Sequence, residues 1–183
     1  MIYPENFESK IGFDKIRQLL ANKCLSTLGE EMVHRMNFSS DYIYIIENLS
    51  QTEEFIRIIQ EEDDFPTNYF IDVRRLLLNI HIEGTWLDES ALFDLRRSLQ
   101  TIRDIISFLK KEDVDNTPYP HLQTLAGDVF VFPQLIHAID NILDKYGRVK
   151  DNASAELNRI RREISKISSS ISRNLNTILR NAQ

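Results

Sequence analysis

A single cysteine, Cys24, stands in 183 residues. That excludes an intramolecular disulfide framework and leaves too few thiols for a zinc cluster. The spacing of Cys24 from Ile16, Leu19 and Leu20 instead suits a small buried apolar side chain on a helix. Glycine is also scarce: Gly12, Gly29, Gly84, Gly127 and Gly147 are isolated, so no phosphate-cradling loop and no GxxxxGK[ST] sequence exists here. His34, His81, His121 and His137 are scattered, and no two of them stand three or four residues apart, so no metal site is expected. Nothing marks a serine, cysteine or histidine as a nucleophile. The acidic run Glu61-Glu62-Asp63-Asp64 sits in a polar stretch with no spaced partners and reads as solvated. No catalytic, cofactor-binding or metal residue is therefore assigned. A run of about eighteen apolar residues is also missing, so no transmembrane helix is expected. The opening Met1-Ile2-Tyr3-Pro4-Glu5 lacks the basic start and apolar stretch of a signal peptide, which makes a cytoplasmic protein the expectation.

What the chain does hold is apolar residues, 42% of the total, enough for one or two compact domains with a core. It also holds an uneven charge. Residues 1–144 carry 25 acidic and 13 basic side chains, a balance of −12, whereas residues 145–183 carry 9 basic and 3 acidic, a balance of +6. An acidic body repels nucleic acid, and a basic tail attracts phosphate by releasing counterions. The alternative is that Arg159, Arg161, Arg162, Lys166, Arg173 and Arg180 merely solvate a helix.

Apolar spacing predicts an all-α, multi-helical bundle. Phe13, Ile16, Leu19 and Leu20 define a helix to about Leu25. Leu28, Met32, Val33 and Met36 continue a second. Ser39-Ser40-Asp41 offers N-cap oxygens for a long helix from Tyr42 to Glu62, with Ile45, Leu49, Thr52, Phe55, Ile56 and Ile59 as its buried face; Tyr42 to Ile46 also has strand propensity. Asp72 caps a short helix carrying Val73, Leu76, Leu77 and Ile80. Asp88 caps the clearest helix, with Leu92, Leu95, Leu99, Ile102, Ile106 and Leu109 on one face and Lys110-Lys111 in its last turn. Trp86, just ahead of it, reads as a packed aromatic. Residues 112–120 form a polar loop, Leu122, Leu125 and Ala126 suggest one helical turn, and 128–133 is apolar and β-prone. Leu135, Ile136, Ile139, Ile142 and Leu143 form another helix. Gly147 and the residues to Asn152 read as a tight turn, with one short two-stranded hairpin as a form it can take.

The last thirty or so residues are the most informative. Leu157, Ile160, Ile164, Ile167, Ile171, Leu175 and Ile178 recur at spacings of three and four, one stripe on one long helix. At Ile164, Ile167, Ile171 and Leu175 the steps approach an eleven-residue period, which predicts a nearly straight pairing with a second helix. The pattern is that of the outgoing arm of a coiled coil cut from a larger protein.

Several stretches together resemble the second bacterial MutS subfamily, the MutS-type ATPases that lack the mismatch-reading domains. Gly12-Phe13-Asp14-Lys15-Ile16 through Leu19-Leu20 is similar to that family's habitual opening, and Leu87-Asp88-Glu89 through Phe108-Leu109 resembles its central helix. The most specific match runs from Ile142 to Ile164, where Asp144, Gly147, Val149, Asp151, Ala153, Ser154, Leu157, Ile160, Arg161 and Ile164 fit the family pattern. Asn152, Ala155 and the 61–71 loop depart from it.

The resemblance implies a helical core or lever over 1–144, followed by a hairpin turn and the first clamp-arm helix over 145–183. It implies a larger protein with a returning arm, an ATPase domain using ATP and Mg, and often a nuclease domain. Such proteins dimerise and act on branched or mismatched DNA, or on ribosomes, and none spans a membrane. No catalytic residue of that machinery falls in this chain, so the chain itself is not expected to be an enzyme. Arg162, Lys166, Arg173 and Arg180 are the candidate phosphate contacts, because sequence-independent binding asks only for charge. The competing reading is a helical protein-interaction or oligomerisation module that binds no nucleic acid.

Overall fold

The computed structural model describes residues 6–110 and 117–181, and among them every regular element is a helix. Three short helices come first: α1 (Phe7–Ile11), α2 (Phe13–Ala21) and α3 (Thr27–Arg35). The sequence pattern misses α1, because five residues carry no readable period. Gly12 separates it from α2 with φ of 76°, a left-handed conformation that glycine adopts without cost. The second helix stops at Ala21 rather than Leu25, and Ser26 opens α3 by accepting from the Gly29 N–H at 3.2 Å. None of the three helices has a fully buried residue. Cys24 is only half-buried, its Sγ 3.4 Å from the Leu20 carbonyl, so the expectation of a buried thiol is corrected. Arg17 holds the unit together with two 2.7 Å bonds to the Glu8 carboxylate and one of 2.6 Å to the Val33 carbonyl.

Helix α4 (Tyr42–Glu61) begins as expected: Asp41 accepts from the N–H groups of Ile43 and Tyr44, satisfying two orphan donors of the first turn. Its orientation does not match the apolar pattern. The buried residues are Glu54 and Ile58, while Ile45, Leu49, Phe55, Ile56 and Ile59 are exposed. The cause is polar. The Glu54 carboxylate accepts from the backbone N–H of His121 at 3.0 Å and of Leu122 at 2.8 Å, capping α7 (Pro120–Leu125). Arg57 donates to the Pro118 carbonyl and lies over the Tyr119 ring, whose hydroxyl donates to Glu62. The charged side of α4 thus docks the 117–122 segment, and the apolar stripe is left facing out.

Helix α5 (Arg74–Asn79) starts where Asp72 accepts from the Arg74 N–H. Arg74 also bonds both carboxylate oxygens of Glu31, tying α5 to α3. Helix α6 (Glu89–Leu109) is the spine of the body, capped by Asp88 accepting from Ala91 N–H at 2.8 Å. Leu95, Ile106 and Leu109 are buried as the pattern predicts, but Ile102 is exposed. Buried Ser98 and Thr101 take its place toward the 68–71 loop, bonding the carbonyls of Ile71 and Asn68. Trp86 is 82% exposed, which overturns its reading as a packed aromatic: it precedes the cap of α6, outside both apolar clusters. Lys111 and residues 112–116 lie outside the described residues.

Two apolar clusters form the core. Ile58, Ile106, Leu109, Tyr119 and Ala126 make the first, with Phe65 and Phe108 packed against it; the Phe65 ring meets Phe55 and Phe108 edge-on at centroid distances of 5.5 and 5.2 Å. Leu95, Ile139 and Leu143 make the second, between α6 and α8 (Pro133–Ile142). Residues 128–132 are not a strand, although Val131 packs on the first cluster.

Candidate nucleic-acid interface

The base of the arm is built by the turn after α8. Leu143 and Val149 pair as a single antiparallel bridge, with Asp144 and Arg148 joined backbone to backbone and the Lys150 N–H on the Ile142 carbonyl. Asp144 closes this miniature hairpin: its carboxylate accepts from the N–H of Tyr146 at 2.8 Å and of Arg148 at 2.9 Å. The bond from Arg148, with that from Tyr146 adding to it, holds the Asp144 carboxyl below the usual carboxylate range. Gly147 sits at φ of 80°, and a Cβ there would meet the Phe93 ring at 2.8 Å. Both conformation and space therefore demand glycine. Val149 packs on the Leu95 cluster.

Helix α9 (Ala155–Asn181) leaves from that base. Ser154 accepts from the Leu157 N–H at 3.1 Å, an N-cap bond. Arg161 reaches back to the Asp151 carboxylate and the Val149 carbonyl, bracing the helix against the hairpin. Each of Asp144, Gly147, Val149, Asp151, Ser154 and Arg161 thus has a mechanical task at one joint. No residue of α9 is buried, and Ile164, Ile167, Ile171, Leu175 and Ile178 are all exposed.

The six arm cations divide into two kinds. Arg159 bonds Glu156 at 2.6 Å and Glu163 at 2.9 Å, and the Glu156 bond, more than that from Glu163, raises its pKa. Arg161 is committed to Asp151. Arg162, Lys166, Arg173 and Arg180 form no ion pair among the described residues and are exposed. At roughly 100° per residue they fall within about 40° of one another, and the isoleucine seam lies about 160° away around the helix. The four candidate residues thus share one face of α9, opposite its apolar stripe. A helix covering the seam would leave their charge in water.

Among the described residues no three His, Cys, Asp or Glu side chains come together as a metal site. No described helix is long and apolar enough to cross a membrane. Sequence reasoning missed three polar anchors, Glu54, Arg57 and Arg74. Their signal was present only as charged residues within helical segments whose neighbours are far away in the chain.

No protein-family model matches the chain. Comparison with curated proteins does find relatives. Over 170 residues, 93% of this chain, it is 30% identical to Endonuclease MutS2 of Alkaliphilus oremlandii. The chain is MutS2-like. Endonuclease MutS2 of a Geobacillus species is 26% identical over 168 residues, and that of Staphylococcus aureus 28% over 170. The MutS2-like chain spans only 21% of the length of the first two and 22% of the third.

Proposed function

We propose that this chain is the helical core and first clamp-arm helix of a MutS2-type DNA-binding ATPase, with the core over residues 1–144 and the turn and arm over 145–183. The observation that carries the reading is the face of α9 formed by Arg162, Lys166, Arg173 and Arg180, set opposite an exposed apolar seam and joined to the body by a braced hairpin. A clamp needs a stiff arm that presents unpaired cations to phosphate while its other side packs on a returning helix. The core contributes rigid packed helices that transmit movement, and no reacting group. In the whole protein, ATP and Mg belong to the ATPase domain, cleavage to a nuclease domain, and branched or mismatched DNA or a ribosome is the target of a homodimer in the cytoplasm. Binding of the full-length protein to branched DNA, measured against salt, tests this. Replacing the four cations by glutamine is expected to weaken binding and lower the slope of log K against log salt by about 3 to 4. An unchanged slope excludes the arm as the contact.

A second reading is a helical interaction module. It is favoured by the apolar residues exposed along α4 and α9, since aligned exposed apolar surface marks protein-interaction sites. Sedimentation separates it. Self-association that polar residues at Ile167 and Ile171 abolish, in a protein with no measurable nucleic-acid binding, supports the module; DNA affinity lost with the arm cations supports the clamp.

A further inference from the structure

A second group of cations lies away from the α9 face. A cleft of about 320 Å³ opens between α6, the end of α8 and the hairpin, lined by Tyr69, Phe93, Arg96, Arg97, Lys145 and Lys150 among others. Its volume is at the lower end for small-ligand sites. The surrounding body is strongly acidic, yet here four cations converge. The facing carboxylates are already engaged. Asp140 pairs with Arg96 at 2.8 Å, Asp94 with Arg97 at 2.5 Å, and Asp144 accepts from its own turn. Lys145 and Lys150 form no ion pair among the described residues; the Lys150 ammonium donates only to the Asp140 carbonyl. Donors therefore exceed acceptors.

The walls are held in place. The Arg97 guanidinium lies 4.7 Å from the Tyr69 ring centroid and 4.8 Å from that of Phe93, a cation between two aromatic rings. Its Nε is buried and meets no acceptor among the described residues, an uncommon state for a buried donor. Tyr69 has φ of 61°, a left-handed conformation that bulky residues rarely adopt. It persists because Thr101 fixes the preceding carbonyl, that of Asn68, from α6.

We propose that this cleft at the base of the arm binds a phosphate group, with Lys145 and Lys150 as its uncommitted cations, the remaining N–H donors of the ion-paired Arg96 and Arg97 beside them, and the exposed Tyr69 ring at its edge. Guanidinium and ammonium donors on rigid elements are suited to phosphate oxygens. The group can come from a free nucleotide or from a nucleic-acid strand running past the hairpin.

Amide NMR of this chain, titrated with inorganic phosphate at constant ionic strength against chloride, tests the proposal. The backbone signals of Lys145 and Lys150 and the side-chain amide of Gln100, which also lines the cleft, are expected to shift saturably with phosphate and not with chloride. Lys145→Gln is expected to weaken binding about fivefold, the effect of one charge contact, with an unchanged melting curve. Thymidine monophosphate binding as well as a ten-nucleotide oligothymidylate assigns a free nucleotide; a preference for the oligonucleotide that Lys145→Gln removes assigns a strand. Shifts that never saturate, equal shifts with chloride, or wild-type affinity in the variant overturn the proposal. The four α9 substitutions leave phosphate binding in the cleft intact, so this site and the arm contact stand or fall separately.

Discussion

At the residue scale, the turn after α8 shows how few atoms decide where an arm can attach. Gly147 meets two constraints at once, positive φ and contact with Phe93. Gly12 has the same backbone sign, φ of 76°, with open space around it. Gly12→Ala should therefore cost about 1 kcal/mol from conformation alone. Gly147→Ala should cost about 3 kcal/mol, because overpacking adds to strain, and thermal melts of the two variants check the difference. Glu54 makes a parallel case in the body. It is 3% exposed, and its carboxylate holds two α7 N–H groups. Glu54→Ala should destabilise the fold by about 2 kcal/mol, since two part-buried N–H donors lose a charged acceptor. Asp144 predicts a pH effect. Its carboxyl titrates below the ordinary range in the folded chain, so its contribution is complete above the unfolded value of about 3.9 and disappears as pH falls through the folded value. Unfolding measured from pH 6 to 2 should show that acid-side loss, and Asp144→Asn should flatten it.

At the element scale, the contrast is between α6 and α4. The apolar face of α6 was legible in the sequence because apolar period and burial coincide there, as at Leu95, Ile106 and Leu109. In α4 they diverge. The isoleucines were read as the inner face, yet Glu54 and Arg57 bond a segment some sixty residues away and turn the helix over. Long-range polar docking leaves no trace in local periodicity, and a half-buried Cys24 or an exposed Trp86 follows from the same blindness to tertiary neighbours. The α9 seam was readable in full, together with its lack of cover. Polar substitution at Ile167 and Ile171 should therefore change the melting temperature little, with an effect within about 0.5 kcal/mol. Circular dichroism melts check this, and a loss of several kcal/mol would mean that the seam is packed within one chain.

At the scale of the whole molecule, an acidic body carries a basic rod on a braced joint. The sequence showed that charge division and the family resemblance, including the motif from Asp144 to Arg161 that forms the joint. It did not show why the arm cations differ. The structure separates Arg159 and Arg161, spent on Glu156, Glu163 and Asp151, from the four that remain on one face. If this division matters, Arg159→Gln and Arg161→Gln should leave the salt dependence of nucleic-acid binding nearly unchanged. Arg161→Gln should instead loosen the joint, which hydrogen exchange at residues 149–161 can detect.

The most direct measurement is the salt dependence of branched-DNA binding by the full-length protein, with and without Arg162→Gln, Lys166→Gln, Arg173→Gln and Arg180→Gln together. The account predicts a slope shallower by about 3 to 4 and weaker binding at low salt. An identical slope and affinity in the fourfold variant would contradict it and leave α9 as a protein-binding helix.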